Sequence, residues 1–430
     1  MDTSVYDSKE YRRSRWAYGI ECTFEYFVML LVGDAFLAKL LTSMGVPDAT
    51  VGIIASMVSL AFLFQLVSVF VVQRIRNTKC FAVLFHSLGQ LTFSFLYVIP
   101  FLPFAESFRA PLALICILLA YFGNYFVHSI IFQWGNSYVD PKKRGSFSAV
   151  KEMISLFTGI FMTLLLGYIM DVYEANDNLE GSFIFASVAI VIFALCDLVC
   201  LLMVKNQVKT QKEIEERVPM RVVMRETLGN KNFVRVMILD ILWKVALYAT
   251  SGFLGTFRIR DLAFTVGAVQ VINIAGSMSR FLLSRPMGRF SDKHSFAKGV
   301  ELGILFAAIG YVFVIGSTPA TRYLIIGYSL FHGMSMAGVN ANMSNIVYSY
   351  VDTRYFVQAS AIKNSISGLC GFGASLAASR LLAYVQENGN RFLGLPVYGQ
   401  QVLAAISLTL LGVALLYAHF VIGKQKVMIQ

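Results

Sequence analysis

The feature that most limits what this chain can fold into is a succession of twelve apolar runs, each long enough to cross a bilayer as a helix. The runs fall at 17–43, 51–73, 80–103, 111–136, 147–170, 181–204, 233–257, 264–286, 296–316, 322–348, 359–382 and 397–422, and are numbered here as spans 1 to 12. In hydrocarbon each segment must satisfy its own backbone N–H and C=O groups, so such runs read as helices. Composition agrees. Of 430 residues, 57% are hydrophobic and 14% charged, against roughly a quarter charged in water-soluble domains. All six cysteines (Cys22, Cys80, Cys116, Cys196, Cys200, Cys370) lie within apolar runs and read as small core residues, with no disulfide framework and no metal site. The N-terminus is polar and basic through Arg15 and enters span 1 without a small-residue cleavage site, which predicts an uncleaved first helix.

A net charge of +11 raises the question of a nucleic-acid partner. The basic residues sit in short loops, not on one continuous face, so the bilayer and not nucleic acid is the expected partner. One set of loops carries Lys9, Arg12, Arg13 and Arg15; Arg74, Arg76 and Lys79; Lys142, Lys143 and Arg144; the long polar stretch 205–232; Arg285, Arg289, Lys293 and Lys298; Arg354; and Lys424 and Lys426. The other set holds little beyond Arg109, Arg258, Arg260, Arg322 and Arg391. The positive-inside bias therefore places both termini and the 205–232 linker in the cytoplasm. Residues 1–204 and 233–430 are the two expected six-helix halves, with a short surface helix at 220–228 in the linker. The short loops and tails point to a bacterial cell membrane and to a monomer.

The halves repeat. Shifting Ser137–Gly159 by 212 residues onto Ser349–Gly371 gives ten identities in 23 positions, including Lys151 with Lys363. A second register, shifted by 215, pairs Thr50-Val51-Gly52 with Thr265-Val266-Gly267, and Glu25 with Asp240. Copies with an even number of helices share one topology, the parallel-repeat arrangement of secondary carriers.

Two loops resemble signatures of the major facilitator superfamily. Gly288-Arg289-Phe290-Ser291-Asp292-Lys293 follows span 8, and Asp140-Pro141-Lys142-Lys143-Arg144-Gly145 follows span 4. The resemblance covers essentially the whole chain and implies an all-α fold of two six-helix bundles. It also implies that Arg289, Asp292 and Arg144 gate the cytoplasmic side, that Gly288 permits close helix approach, and that spans 1, 4, 7 and 10 line a central cavity. The chain departs from the pattern at Gln73-Arg74-Ile75-Arg76-Asn77, which lacks the glycine and the aspartate, and at Ser295, where another glycine is usual.

Charges inside a membrane are costly and mark pathways. Glu25 in span 1 and Asp240 in span 7 are the candidate proton-coupling carboxylates, because a carboxylate in apolar surroundings is suited to binding and releasing a proton. The plainer alternative pairs Asp240 with Lys244 one turn later, and lets Glu21 and Glu25 meet headgroups or basic loops. Substrate-binding candidates form polar stripes: Tyr121, Asn124 and His128 on span 4; Asp240, Lys244, Tyr248 and Ser251, with Trp243, on span 7; His332, Asn340 and Asn342 on span 10. The plainer alternative for each is hydrogen-bonded packing. Lys151 and Lys363 read as lysines snorkelling to the interface, and Asp197 and Arg280 as structural or interface residues. Gly368, Gly371 and Gly373 favour close helix packing.

No enzyme constellation is present: there is no P-loop, no G-x-S-x-G, no H-E-x-x-H and no paired ligand spacing. No cofactor is expected, and without a P-loop the energy source is an ion gradient. The expected function is secondary active transport by alternating access: proton- or cation-coupled import (symport) of a small polar organic solute, sugar-like in character. A drug or metabolite exporter is the alternative. The absence of proline between Pro141 and Pro219 counts against it, because antiporters of this family usually carry a Gly-Pro-Gly-Gly-type motif in span 5.

Overall fold

A computed structural model describes residues 6–72, 77–103, 105–139, 144–206, 220–348, 350–351 and 356–423. Long helices account for every expected span. Span 1 runs Lys9–Leu31, beginning eight residues before the apolar run because Ser8 caps it, its side chain accepting from the backbone N–H of Tyr11. The chain becomes extended at Gly33 and resumes as Asp34–Ser43, so span 1 is two helices and not one. Span 2 is likewise divided at Ser56, into Asp48–Ala55 and Met57–Val72. Spans 3 to 6 are Thr78–Leu96, Glu106–Asn136, Arg144–Ala175 and Leu179–Met203. A short helix, Met220–Leu228, stands in the linker where the sequence suggests one. Span 7 is Lys231–Tyr248, followed by short turns to Asp261. Spans 8 to 12 are Val266–Lys293, Phe296–Gly316, Leu324–Tyr348, Phe356–Glu387 and Gly399–Tyr417. A two-residue hairpin, Arg391–Phe392 with Leu395–Pro396, joins the last two.

The 212-residue repeat survives in the structure to the residue. Spans 5 and 11 are both 32 residues long and begin 212 positions apart. Packing repeats too: span 1 packs on spans 5 and 6 as span 7 packs on 11 and 12, and span 3 packs on 4 and 6 as span 9 packs on 10 and 12. Ser295 has a reason of its own, since its hydroxyl accepts from the N–H of Lys298 and caps span 9.

The contacts divide the chain into two compact units, one of residues 1–45 and 64–217, the other of 46–63 and 218–430. The first has a core around Tyr18, Val127, Tyr138 and Leu201, and the carbonyl of Lys205 at the end of span 6 accepts from Trp134 and Tyr138. The second has a larger core around Phe233, Trp243, Phe257, Tyr311 and Tyr328.

The surface is that of a membrane protein. Span 6 exposes Ile184, Val188, Ile192, Leu195, Val199 and Leu202, every third or fourth residue, while its opposite face is buried. Such a continuous apolar stripe is untenable in water and ordinary against lipid. Among the described residues nine helices are by themselves long and apolar enough to cross a membrane. The other three are spans 1, 7 and 10, each diluted by the polar residues under discussion. Orientation is checked by reporter fusions: we expect a cytoplasmic readout within 205–232 and an external one within 171–180.

Candidate functional site

A cluster of charges in the second unit lies where spans 7 and 11 meet. Asn230 caps span 7, its side chain accepting from the N–H groups of Asn232 and Phe233, and so fixes which residues turn inward. Asp240 is buried at 3% exposure. Its Oδ2 lies 3.5 Å from Lys244 Nζ and 3.4 Å from Lys363 Nζ, and accepts a 2.6 Å hydrogen bond from the Ser367 hydroxyl. The expected Asp240–Lys244 pair is there, but it is a trio. Lys363 does not snorkel; span 11 approaches closely enough to bury it against Asp240. That approach depends on a small residue, since a Cβ on Gly371 would lie 2.7 Å from the Tyr248 ring; Gly368 does the same toward span 2, where a Cβ would lie 2.4 Å from the Ser59 carbonyl oxygen. Gly373 has open space around it. The Lys244 ammonium also sits 4.3 Å above the centre of the Phe62 ring. One carboxylate against two ammonium groups leaves a formal surplus of positive charge.

The other candidates of this unit divide. Trp243 does not join the trio; it is buried in the apolar core, with Leu239 and Ala246. Asn342 is also buried and donates to the Gly338 carbonyl at 2.7 Å. Tyr248 and His332 are half-buried, the latter stacked on Tyr328 at 5.4 Å, and Asn340 is exposed.

In the first unit Tyr121 and Asn124 turn into the helix packing. Tyr121 meets Phe93 edge-on, and Asn124 accepts from Gln90 at 3.0 Å and donates to the Ala120 carbonyl at 2.9 Å. His128 is exposed, as is its repeat twin Asn340. Glu25 is half-buried.

One turn before Glu25 lies a group the sequence reading did not assemble. Glu21, His86 and Asp197, from spans 1, 3 and 6, are at most 2% exposed. His86 Nε2 lies 3.0 Å from Asp197 Oδ2 and 3.8 Å from Glu21 Oε1. The three side chains hold their donor atoms within 4.8 Å of one another, close enough for a metal ion or for shared protons. Asp197, expected to be a structural or interface residue, has His86 as its partner. It is the only charge in span 6 beyond Glu180 in the first turn, and His86 with Gln90 makes an i, i+4 polar pair on span 3. Those were the available signals. Lys151, the twin of Lys363, also fails to snorkel fully: its ammonium is 3.2 Å from both Tyr18 Oη and Cys22 Sγ.

Beyond the end of span 7, Arg260 is paired with Asp48 at the start of span 2, and Gln386 donates to Asp48 at 3.1 Å. Neighbouring Asp261 is raised to about 7, first by burial and then by the Asp48 charge. The folded chain therefore holds this proton over a window in which the unfolded chain, with a value near 3.8, has lost it. Stability from this residue is present at low pH and falls as pH rises from about 4 to about 7. Asp261→Asn should flatten that part of a thermal-stability profile against pH; an unchanged slope would remove Asp261 as its source.

Of the expected gating residues, Arg289 is exposed near the end of span 8, whereas the side chains of Arg144 and Asp292 lie outside the described residues, as do residues 73–76, 140–143 and 352–355. Gly288 differs from the expectation: among the described residues a Cβ there would meet nothing within 4 Å, so no close approach of a described helix depends on it.

The family model described as Major Facilitator Superfamily matches residues 23–375. No curated protein sequence matches the chain. Among solved structures, an auto-inhibited POT family peptide transporter is similar with TM-score 0.71 at 13% identity, covering 98% of each chain. The nucleoside transporter NupG is similar with TM-score 0.66 at 14% identity, covering 96% of this chain and all of that one. A bacterial homologue of the human lysosomal transporter Spinster gives TM-score 0.66 at 14% identity, covering 97% of this chain and 99% of the other. These likenesses give the fold. With the family model spanning most of the sequence, this multi-pass membrane protein belongs to the major facilitator superfamily.

Proposed function

We propose that the protein imports a small polyhydroxylated organic solute bearing an anionic group, such as a sugar acid, by alternating access coupled to protons or another cation. The observation that carries this reading is the Asp240–Lys244–Lys363 trio, whose formal surplus of one positive charge is held in a membrane helix pair. An uncompensated buried charge is costly, and a solute carboxylate or phosphate at Lys244 relieves it. The Phe62 ring beside Lys244 suits the C–H face of a sugar. Tyr248, His332 and Asn340, which keep accessible surface, supply hydroxyl recognition. The named solutes of the similar structures, nucleosides and peptides, are likewise polar organic molecules.

Glu25 is the coupling carboxylate in this reading, and Asp240 orders the two lysines. Arg289, Asp292 and Arg144 support the conformational cycle without touching the solute. The protein works as a monomer in a bacterial cell membrane with both termini in the cytoplasm.

The test is solute binding to the purified protein in lipid nanodiscs, with a sugar acid, a neutral sugar, a nucleoside and a dipeptide as probes. The sugar acid should bind most tightly, and Lys244→Met should weaken it about 10- to 100-fold, the worth of a hydrogen bond to a charged group. Preference for a hydrophobic cation, with Lys244→Met without effect, would overturn the reading in favour of drug export.

A further inference from the structure

We propose that Glu21, His86 and Asp197 form a buried proton store in the first unit, filled and emptied through Glu25. This rests on the coupled-transport reading above and locates where the coupling proton is kept. Two carboxylates and an imidazole come together from three spans, each at most 2% exposed. With a neutral imidazole the group carries two formal negative charges, and among the described residues no lysine or arginine pairs with it directly. Two carboxylates held this way in apolar surroundings need protons or a cation to persist.

Polar atoms are left open for that purpose. Among the described residues Glu21 Oε1, His86 Nδ1 and both Asp197 oxygens have no aligned hydrogen-bond partner, although Glu21 Oε1 and Asp197 Oδ2 both face His86 Nε2. The surroundings favour protons over a metal. Asn124 donates to the Ala120 carbonyl, which leaves its Oδ1 to accept from Gln90 Nε2. Gln90 thus turns an amide nitrogen, which has no electron pair to give, to 3.5 Å from His86 Nε2, where a metal would want a fourth electron-pair donor. Two protons make the trio electroneutral, and one leaves it at a single negative charge.

The entrance is on span 1. The polar atoms of Glu21, Cys22 and Glu25 lie within 4.8 Å of one another, and Glu25 is half-buried where Glu21 is buried. In loading, the Glu25 carboxyl gives up its O–H proton to the Glu21 carboxylate and is left ionised, to be reprotonated from water; release reverses both transfers. Among the described residues the charged and titratable groups facing the trio are Glu25 and Cys22 on span 1, Cys200 on span 6, Lys151 on span 5 and His128 on span 4, with Tyr18 one turn before Cys22. Lys151 reaches Cys22 Sγ at 3.2 Å, so it acts on the trio through Cys22.

The test uses the whole protein in lipid nanodiscs, by infrared difference spectroscopy of carboxylic C=O bands and nitrogen NMR of the labelled histidines. Near neutral pH a protonated-carboxyl band should be present and be lost in Glu21→Gln or in Asp197→Asn, while Glu301→Gln leaves it in place. Should those variants fail to fold, the wild-type His86 resonances, assigned against the other four histidines, still decide: both ring nitrogens should carry hydrogen. A fully ionised pair of carboxylates with a neutral His86, or one tightly held divalent metal ion per chain by mass spectrometry, overturns the store. The band should persist in Glu25→Gln. If it does, but Glu25→Gln still accumulates solute normally, the coupling role of Glu25 fails while the store stands.

Discussion

Asp240→Asn is expected to destabilise the protein by about 3–5 kcal/mol, the cost of removing one partner from a buried ion pair, and to abolish transport. The carboxylate is the one group to which both Lys244 and Lys363 are drawn, at 3.5 and 3.4 Å. Without it two ammonium groups remain buried at close quarters, and Lys244 keeps Asn364's carbonyl and the Phe62 ring beside it. Lys363→Met leaves the neutral Asp240–Lys244 pair and should cost far less. The double variant Asp240→Asn/Lys363→Met should recover part of the lost stability, because it removes one of the two orphaned charges. Thermal unfolding of the four proteins checks this. Equal losses in both single variants, or no recovery in the double, would mean that the three charges are not coupled to one another.

Glu25→Gln carries the second large effect: gradient-driven accumulation should be lost while solute exchange without a gradient survives. Val28 and Met29 stand on its C-terminal side at i+3 and i+4, and Glu21 at i−4, so no basic residue of its own helix neutralises it. Gln keeps the size and the hydrogen bonding of the side chain and removes only its capacity to carry a proton. A variant that loses exchange as well would point to a structural role, and one that keeps full accumulation would place coupling elsewhere.

Much of the architecture was legible because the bilayer imposes a single rule on every segment. The twelve runs, the linker helix and the repeat follow from length, charge bias and identity. The breaks at Gly33 and Ser56 were not, since an apolar run reads the same whether its helix is continuous or divided. The site was legible only in part. Asp240 and Lys244 are one turn apart on one helix, so spacing alone pairs them. Lys363 is 123 residues from Asp240 and His86 is 111 from Asp197, and side-chain spacing along one helix says nothing about which helices meet. The i, i+3 rule also misled at Trp243, where the neighbour of a polar stripe belongs to the core.

The central claim is that an ion gradient, acting through alternating access, drives a polar solute across the membrane. Uptake of a labelled sugar acid into proteoliposomes under an imposed proton gradient, with sodium present or absent, tests it most directly. The account predicts accumulation above the external concentration that collapses when a protonophore or ionophore dissipates the gradient. Uptake that never rises above equilibration under either gradient would contradict it.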